Sequence, residues 1–450
     1  MPVSHARAAV VTSTDGKEAG KVPGLLEVLA QVPDPRKRRG RRYVLVFVLA
    51  VAAACVLAGA KSFREIGDQA ADLPQEILAR LGGKPHPLLR RIIAPSEKRV
   101  RTLIHAIGAE ILDELIGGWL RALADAGRQG GLLTAIAIDG KWLRGVADGQ
   151  VKLFAAMLHE NKVVIAQHRI PDETTETTQL KELLEPVDLE GAVVTADAAH
   201  AQRETADCIA GKKEDGNRGS DYFLFVKGNQ PSLHKAVFDA IQHDSPREPD
   251  HTELDYGHGR IIRRSIWVTD AGSLDFPHVT RIARIRRDGF DLDGTLISKE
   301  IVHAVTSLGA DRASSADLAR IARGQWGIES VHWLRDTAWA EDANTGYAGN
   351  GPQVMATLRN LAISLLHLAA SPRSPALFRP SSATEPAFST TYRYETGIPN
   401  DFADPVVARP AIISASARPV GNQSGLFAIP EARLRREWEM NSIHHYGRDR

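Results

Sequence analysis

Two stretches of this chain share one design, and together they constrain its fold more than anything else in it. Leu133-Thr134-Ala135-Ile136-Ala137-Ile138-Asp139 and Gly191-Ala192-Val193-Val194-Thr195-Ala196-Asp197 are almost unbroken apolar runs, each ending in an aspartate. Such runs read as strands buried on both faces, as in parallel sheets covered by helices. Open α/β sheets place their chemistry at strand ends. A hard cation such as Mg²⁺ is commonly held by one or two carboxylates together with substrate phosphates. Two carboxylates delivered in this way point to a phosphoryl-transfer site. The competing reading is that each aspartate caps the element that follows it, and for either residue alone the two readings stand level.

The elements around these runs support the first reading. Residues 152–158 and 163–170 flank a turn at Glu160-Asn161 in a hairpin pattern. A helix over Thr178–Leu184 follows, then the strand to Asp197, a helix over Gln202–Ala210, a strand over Tyr222–Lys227 and a helix opening at Pro231. A right-handed crossover sets the two aspartate strands parallel and adjacent, which is the layout of a ribonuclease-H-like α/β fold. From about 250 to 310 the pattern turns to β with many arginines, an insertion into the α/β rhythm. Beyond it, a helix capped at Ser315 carries Gln325, Glu329 and His332 at spacings of four and three on one face, with Asp336 seven beyond Glu329. Glu329 is the candidate third acid.

Ahead of this core, residues 21–130 read as an all-α N-terminal domain, and residues 1–20 as disordered. Net charge is only +1, so local patches matter more than the total. Arg36-Lys37-Arg38-Arg39-Gly40-Arg41-Arg42 is one such patch; Arg90, Arg91, Lys98, Arg99 and Arg101 form another. A DNA-binding role and a merely solvated surface weigh equally for them. Two cysteines exclude a disulfide framework and a thiolate zinc site, and favour a reducing compartment. The uncharged run over 43–60 reads either as a membrane anchor or, better for its alanine and glycine content, as a buried core helix. Residues 371–450, rich in proline, serine and threonine, read as a mostly disordered tail.

Several stretches carry a resemblance: AIAIDGKWLRG, TADAAHAQRE, FVKGNQP, the HGR at 258–260 and QWGIESVHWLRDTAWAED, with VPDPRKRRGRRY and SFREIGDQA ahead of them. In this order, from about Leu25 to Leu368, they resemble the ISAs-type insertion-sequence DDE transposases, the group that includes the H-repeat-associated proteins. The resemblance implies a ribonuclease-H-like DDE catalytic domain over 131–370, preceded by the family's helical DNA-binding domain. It also argues against a membrane anchor. By carry-over, Asp139, Asp197 and Glu329 match the catalytic triad. The chain departs from the family in having Gln325 for a usual histidine, Ser330 for a usual asparagine, and Ala201-Gln202 for a frequent Cys-Gln pair. Ala322, Gln325, Glu329 and Asp336 do not meet the tyrosine-arginine-glutamate-lysine signature of neighbouring families.

What the resemblance implies is a protein that binds the terminal inverted repeats of its element. It would cut and transfer strands by in-line displacement, with two Mg²⁺ ions held by the three acids, one activating the nucleophile and one the leaving oxygen, and Mn²⁺ able to substitute. Its partners would be double-stranded DNA and, at synapsis, further copies of itself, in a cytoplasmic, nucleoid-associated setting. Lys141, Arg144 and Lys227, just past strand ends, are placed to reach phosphates, and Asn229 and Gln230 to add hydrogen bonds; capping turns in water is the alternative. Trp326 and Trp333 are placed to stack on an unpaired base, against a fate as core packing. His258 with Arg260, in a family motif, and His200 and His332 are candidate outer ligands or phosphate contacts, with a plain surface histidine as the equal alternative for each. The rivals are an idle element-derived DNA-binding protein, a membrane-anchored protein and a generic nuclease of the same fold.

Overall fold

The computed structural model describes residues 22–370, except 38, 40, 129–131, 145–150, 212–218, 243–246, 258 and 345–346. The segments expected to be disordered, and His258, lie outside the described residues. Among these residues, nine strands form one mixed sheet in the order β3-β2-β1-β4-β5-β9-β8-β7-β6. The strands are β1 (Ala135–Leu143), β2 (Val151–Leu158), β3 (Val164–Ile170), β4 (Val193–Ala196), β5 (Asp221–Val226), β6 (His251–Gly257), β7 (Arg260–Asp270), β8 (Arg281–Phe290) and β9 (Leu296–Thr306). The hairpin β2–β3 forms, and β1 lies parallel to β4.

Three differences from the sequence expectation bear on the site. First, β1 does not end at Asp139. Its pairing with β4 stops at Ala137↔Thr195, but β2 stays paired with it as far as Leu143↔Val151. Asp139 therefore sits inside a strand held on one side only. Second, the long helix divides into α10 (Ser315–Gly324) and α11 (Gly327–Ala338). Gly324 lies against the His159 ring, where a Cβ would stand 2.0 Å from Nδ1. The cap is Ser314 rather than Ser315, because Ser314 and Asp317 complete a reciprocal capping box. Third, β9 pairs with β5 over His303–Thr306, so the β-rich block extends the core sheet. The part of β9 from Leu296 to Val302 runs past the end of β5, roughly 20 Å of strand at the usual rise.

Among the described residues six helices precede the sheet: α1 (Leu25–Leu29), α2 (Leu45–Leu57), α3 (Phe63–Asp72), α4 (Gln75–Arg80), α5 (Glu97–Ala106) and α6 (Ala109–Ala126). Between and after the strands lie α7 (Leu180–Leu184), α8 (Arg203–Ala210), α9 (Pro231–Gln242) and α12 (Gly351–Ala370). The apolar run is α2, whose 13 residues are too few to span a bilayer, which takes about 20. It is buried instead, packed on α12, and the Trp339 indole donates to Val56 O at 2.9 Å. No helix of the described residues is long and apolar enough to cross a membrane. The first helices and the sheet share one apolar core, in which α6 packs on β3 and α12 on both. Asp113 of α6 is buried in it, accepting from Gln353 at 2.8 Å, Gln167 at 3.0 Å and the Thr357 hydroxyl. Burial still pushes its carboxyl up to about 7.

α11 is fastened from behind by a buried ionic cluster. Glu341 takes Arg335 of α11 on one oxygen and Arg359 of α12 on the other, each at 2.8 Å, and all three side chains are almost fully enclosed. Burial works against the Glu341 charge, but the two guanidiniums outweigh it and hold the carboxyl below its ordinary range.

Candidate active site

The two aspartates are in register. Ala135 pairs with Val193 and Ala137 with Thr195, an offset of 58, and 197 − 139 is also 58. The sequence separation and the parallel register are thus the same fact. Strand alternation puts Ala135, Ala137 and Asp139 on one face. Asp197 follows β4 with extended backbone (φ −70°, ψ −179°), and its Oδ1 accepts from Ala199 N–H at 2.9 Å, capping the turn Ala198–His200. It caps and it sits beside Asp139, so the two sequence readings are not exclusive.

α11 crosses the Asp139 face. His332 Nδ1 stands 3.4 Å from Asp139 Oδ2, and Glu329 lies one turn earlier on the same side of the helix. The α10–α11 joint is pinned directly beneath the acids. Gln325 Nε2 donates to Ile138 O at 3.2 Å, and Gln325 Oε1 accepts from the Thr195 hydroxyl. His159 Nε2 is 2.9 Å from that hydroxyl, and burial takes its pKa down to about 3, so the layer is neutral.

Asp197 feels the crowding. Its carboxyl is pushed up, first by burial and then by the charges of Asp139 and Glu176, with His200 working the other way. Such carboxylate repulsion is what a hard cation relieves, and an all-oxygen donor set suits Mg²⁺ or Mn²⁺. Among the described residues, no three His, Cys, Asp or Glu side chains already stand as a ready metal cage.

Glu176 was not singled out from the sequence. It lies on the turn after β3, with Oε2 3.4 Å from His200 Nε2. Its carboxylate also covers Gly140, where a Cβ would stand 1.9 Å from Oε1. A signal existed: β3 ends level with Trp142 through the pairs Ile170↔Lys152 and Lys152↔Trp142, so the acid-rich turn after it must open at this edge. His200 is buried and stacked on Phe154, with ring centroids 5.4 Å apart. It faces Glu176 rather than solvent.

The remaining expected residues divide. Lys141 shares the Asp139 face but is buried, its Nζ 2.6 Å from Asp336 Oδ2 and 3.9 Å from Asp342 Oδ1. The same pairing ties α11 to β1, and Asp336 is the residue that stands seven beyond Glu329. Arg144 and Lys227 are exposed, and Gln230 is half-buried. Asn229 Nδ2 donates to Ala198 O at 2.7 Å, joining the loop after β5 to the loop that carries Asp197. Trp326 and Trp333 are 39% and 40% exposed, and Trp326 meets Phe225 edge-on at 5.1 Å. Trp326 precedes α11 while Trp333 lies on it. Arg260 is exposed at the tip of the β6–β7 hairpin, at the far end of the projecting strands. At the base of that projection Arg284 lies over the Trp267 ring at 4.2 Å, and farther out Arg263 and Arg286 share Asp288.

Comparison with known proteins identifies the family. A family model described as "Transposase DDE domain" matches residues 132–365, and one described as "DDE_Tnp_1-associated" matches residues 26–120. The chain is similar to "Putative transposase YncI" of Escherichia coli O157:H7, 26% identical over 370 residues, covering 77% of this chain and 87% of the relative. It is similar to "H repeat-associated putative transposase YhhI" of Escherichia coli K12, 25% identical over 371 residues, covering 76% and 90%. An uncharacterized protein in the dhlA 3' region of Xanthobacter autotrophicus is 28% identical over 264 residues, covering 56% and 82%. With the first match taking in more than half of its length, and with the match to the associated domain ahead of it, the chain belongs to the DDE transposase family.

Proposed function

We propose that this transposase binds the terminal inverted repeats of its insertion sequence and carries out divalent-metal-dependent strand cleavage and strand transfer by in-line phosphoryl transfer. The observation that carries the proposal is the parallel register of β1 and β4, which brings together Asp139 and, one residue past the end of β4, Asp197. The Asp197 carboxyl is pushed up by burial first and then by the charge of Asp139. Asp139, Asp197 and Glu329 would hold Mg²⁺, with Mn²⁺ as substitute. Bound there, the cation supplies Lewis acidity and neutralises charge on the phosphoryl oxygens.

The chain's own residues do the rest. His332 orients Asp139, and the Gln325–Thr195–His159 layer fixes the height of α11 over the two strands. Asn229 steadies the Asp197 loop. Lys141 acts by holding α11 to β1 through Asp336, while Arg144, Lys227 and Gln230 face the phosphates flanking the scissile bond. The half-exposed rings of Trp326 and Trp333 offer stacking surfaces for an unpaired base. Arg260, His258 and the arginines of β7 and β8 take duplex DNA farther along. In this reading strands β1 to β5 are a ribonuclease-H-like core, residues 21–130 a DNA-binding domain, and the synaptic form a homo-oligomer at the nucleoid.

The direct test is nicking of a duplex bearing the repeats that flank the gene. Cleavage confined to the repeat end and dependent on Mg²⁺ or Mn²⁺ is the expected result. Binding with no cleavage under either metal would support the idle DNA-binding reading, and cleavage indifferent to the repeat would support a generic nuclease.

A further inference from the structure

The most exposed large apolar side chain among the described residues is Leu88, at 86%, and its neighbour Leu89 is 55% exposed. Neither lies on a floppy strap. They sit at the tip of a loop between α4 and α5 whose base is closed by a Pro85↔Ile92 bridge, by His86 N–H donating to Arg91 O at 2.8 Å and by Arg90 N–H donating to His86 O at 2.9 Å. His86 Nδ1 faces the N–H groups of Leu88 and Leu89 at 3.3 and 3.4 Å. Arg90 holds a left-handed backbone, φ 55°, to complete the turn. The base is locked to the core, because Ile92 is buried and exchanges two hydrogen bonds with Gln75, at 2.7 and 3.1 Å. A preformed loop that holds two leucines out in water is poised for burial against something else.

The frame around the tip says what. Lys84, Arg90 and Arg91 are exposed beside it. Below lies an open cavity of about 500 Å³, lined by Arg42, Tyr43, Phe47, Lys84, His86 and Ile93 among others, with no carboxylate in its lining. Among the described residues no ion pair engages Arg42, Lys84, Arg90 or Arg91, although cations elsewhere on this chain commonly have acidic partners. An apolar tip inside an uncompensated cationic frame matches a nucleic-acid groove, where leucines wedge between base steps while arginines and lysines meet the phosphates.

We propose that the loop Pro85–Ile92 is a DNA wedge: Leu88 and Leu89 enter the minor groove and kink the duplex, with Lys84, Arg90 and Arg91 on the flanking backbone. The inference rests on the DNA-binding reading above and adds a site, a groove and a deformation to it.

The test uses the full chain and a duplex carrying the flanking repeat, with a fluorescent donor and acceptor at its two ends to report bending. Wild type is expected to bring the ends together. Leu88→Ala with Leu89→Ala should abolish the bend and weaken binding about tenfold, with no change in melting temperature, since both side chains are exposed. Arg90→Gln with Arg91→Gln should make the slope of log affinity against log salt shallower by about 2. If wild type nicks the repeat but the leucine variant binds and bends the duplex unchanged, the wedge is wrong and the functional reading survives. If wild type binds no duplex, both fail. Loss of binding to anionic vesicles in the leucine variant, with DNA bending intact, would assign the loop to a bilayer and overturn the proposal.

Discussion

Asp197→Asn is expected to reduce metal-dependent nicking of a repeat-bearing duplex by about 10³-fold or more, while duplex binding stays within a few-fold of wild type. The asparagine keeps an oxygen that can accept from Ala199 N–H, so the turn Ala198–His200 keeps its cap and the fold its stability. What it removes is one negative charge from a pair of carboxylates set side by side. Binding energy toward the duplex comes mainly from cations meeting phosphates, and those are untouched. Quantified by single-turnover cleavage on a denaturing gel, residual activity within tenfold of wild type would show that Asp197 acts only as a cap.

The largest stability effect is expected at Glu341. Replacing it by glutamine leaves Arg335 and Arg359 enclosed without their shared counter-charge, and breaking a buried ionic cluster of this kind costs about 3–5 kcal/mol. Urea unfolding followed by tryptophan fluorescence should report a loss of that size. A shift below about 1 kcal/mol would mean that the guanidiniums find water or other partners. The sign with pH follows from the depressed carboxyl of Glu341. Its contribution is present above the ordinary glutamate range and is lost as pH falls through the lower folded value. Because Arg335 belongs to the helix that carries Glu329, the variant that does fold should also lose cleavage more steeply than duplex binding.

Much of the framework of the candidate site was legible because it depends on local pattern. The apolar runs ending at Asp139 and Asp197, the hairpin between them and the crossover helix all form, and the separation of 58 proves to be the register itself. The run at 43–60 is equally plain in outcome, since a 13-residue helix with that little polarity has to be buried. What escaped was decided by distant partners. That β1 continues through Gly140 depends on β2 staying paired and on Glu176 filling the space a side chain would need. The end of α10 at Gly324 lies against His159, from the turn after β2, where no side chain would fit. Lys141 was read as a phosphate contact because it follows the acid by two residues. That same spacing turns it toward α11, where Asp336 and Asp342 receive it. Glu176, absent from every local motif, entered the site only through the hairpin's geometry.

The central claim is that Asp139, Asp197 and Glu329 share one metal site. Fe²⁺ in place of Mg²⁺, with ascorbate and peroxide, generates radicals at the bound ion, and mass spectrometry then maps where the polypeptide is cut. Cuts clustered at β1 near 139, after β4 near 197 and on α11 near 329, all suppressed by excess Mg²⁺, are the predicted result. Cuts at the two aspartates with none on α11, or a pattern that Mg²⁺ does not suppress, would contradict it.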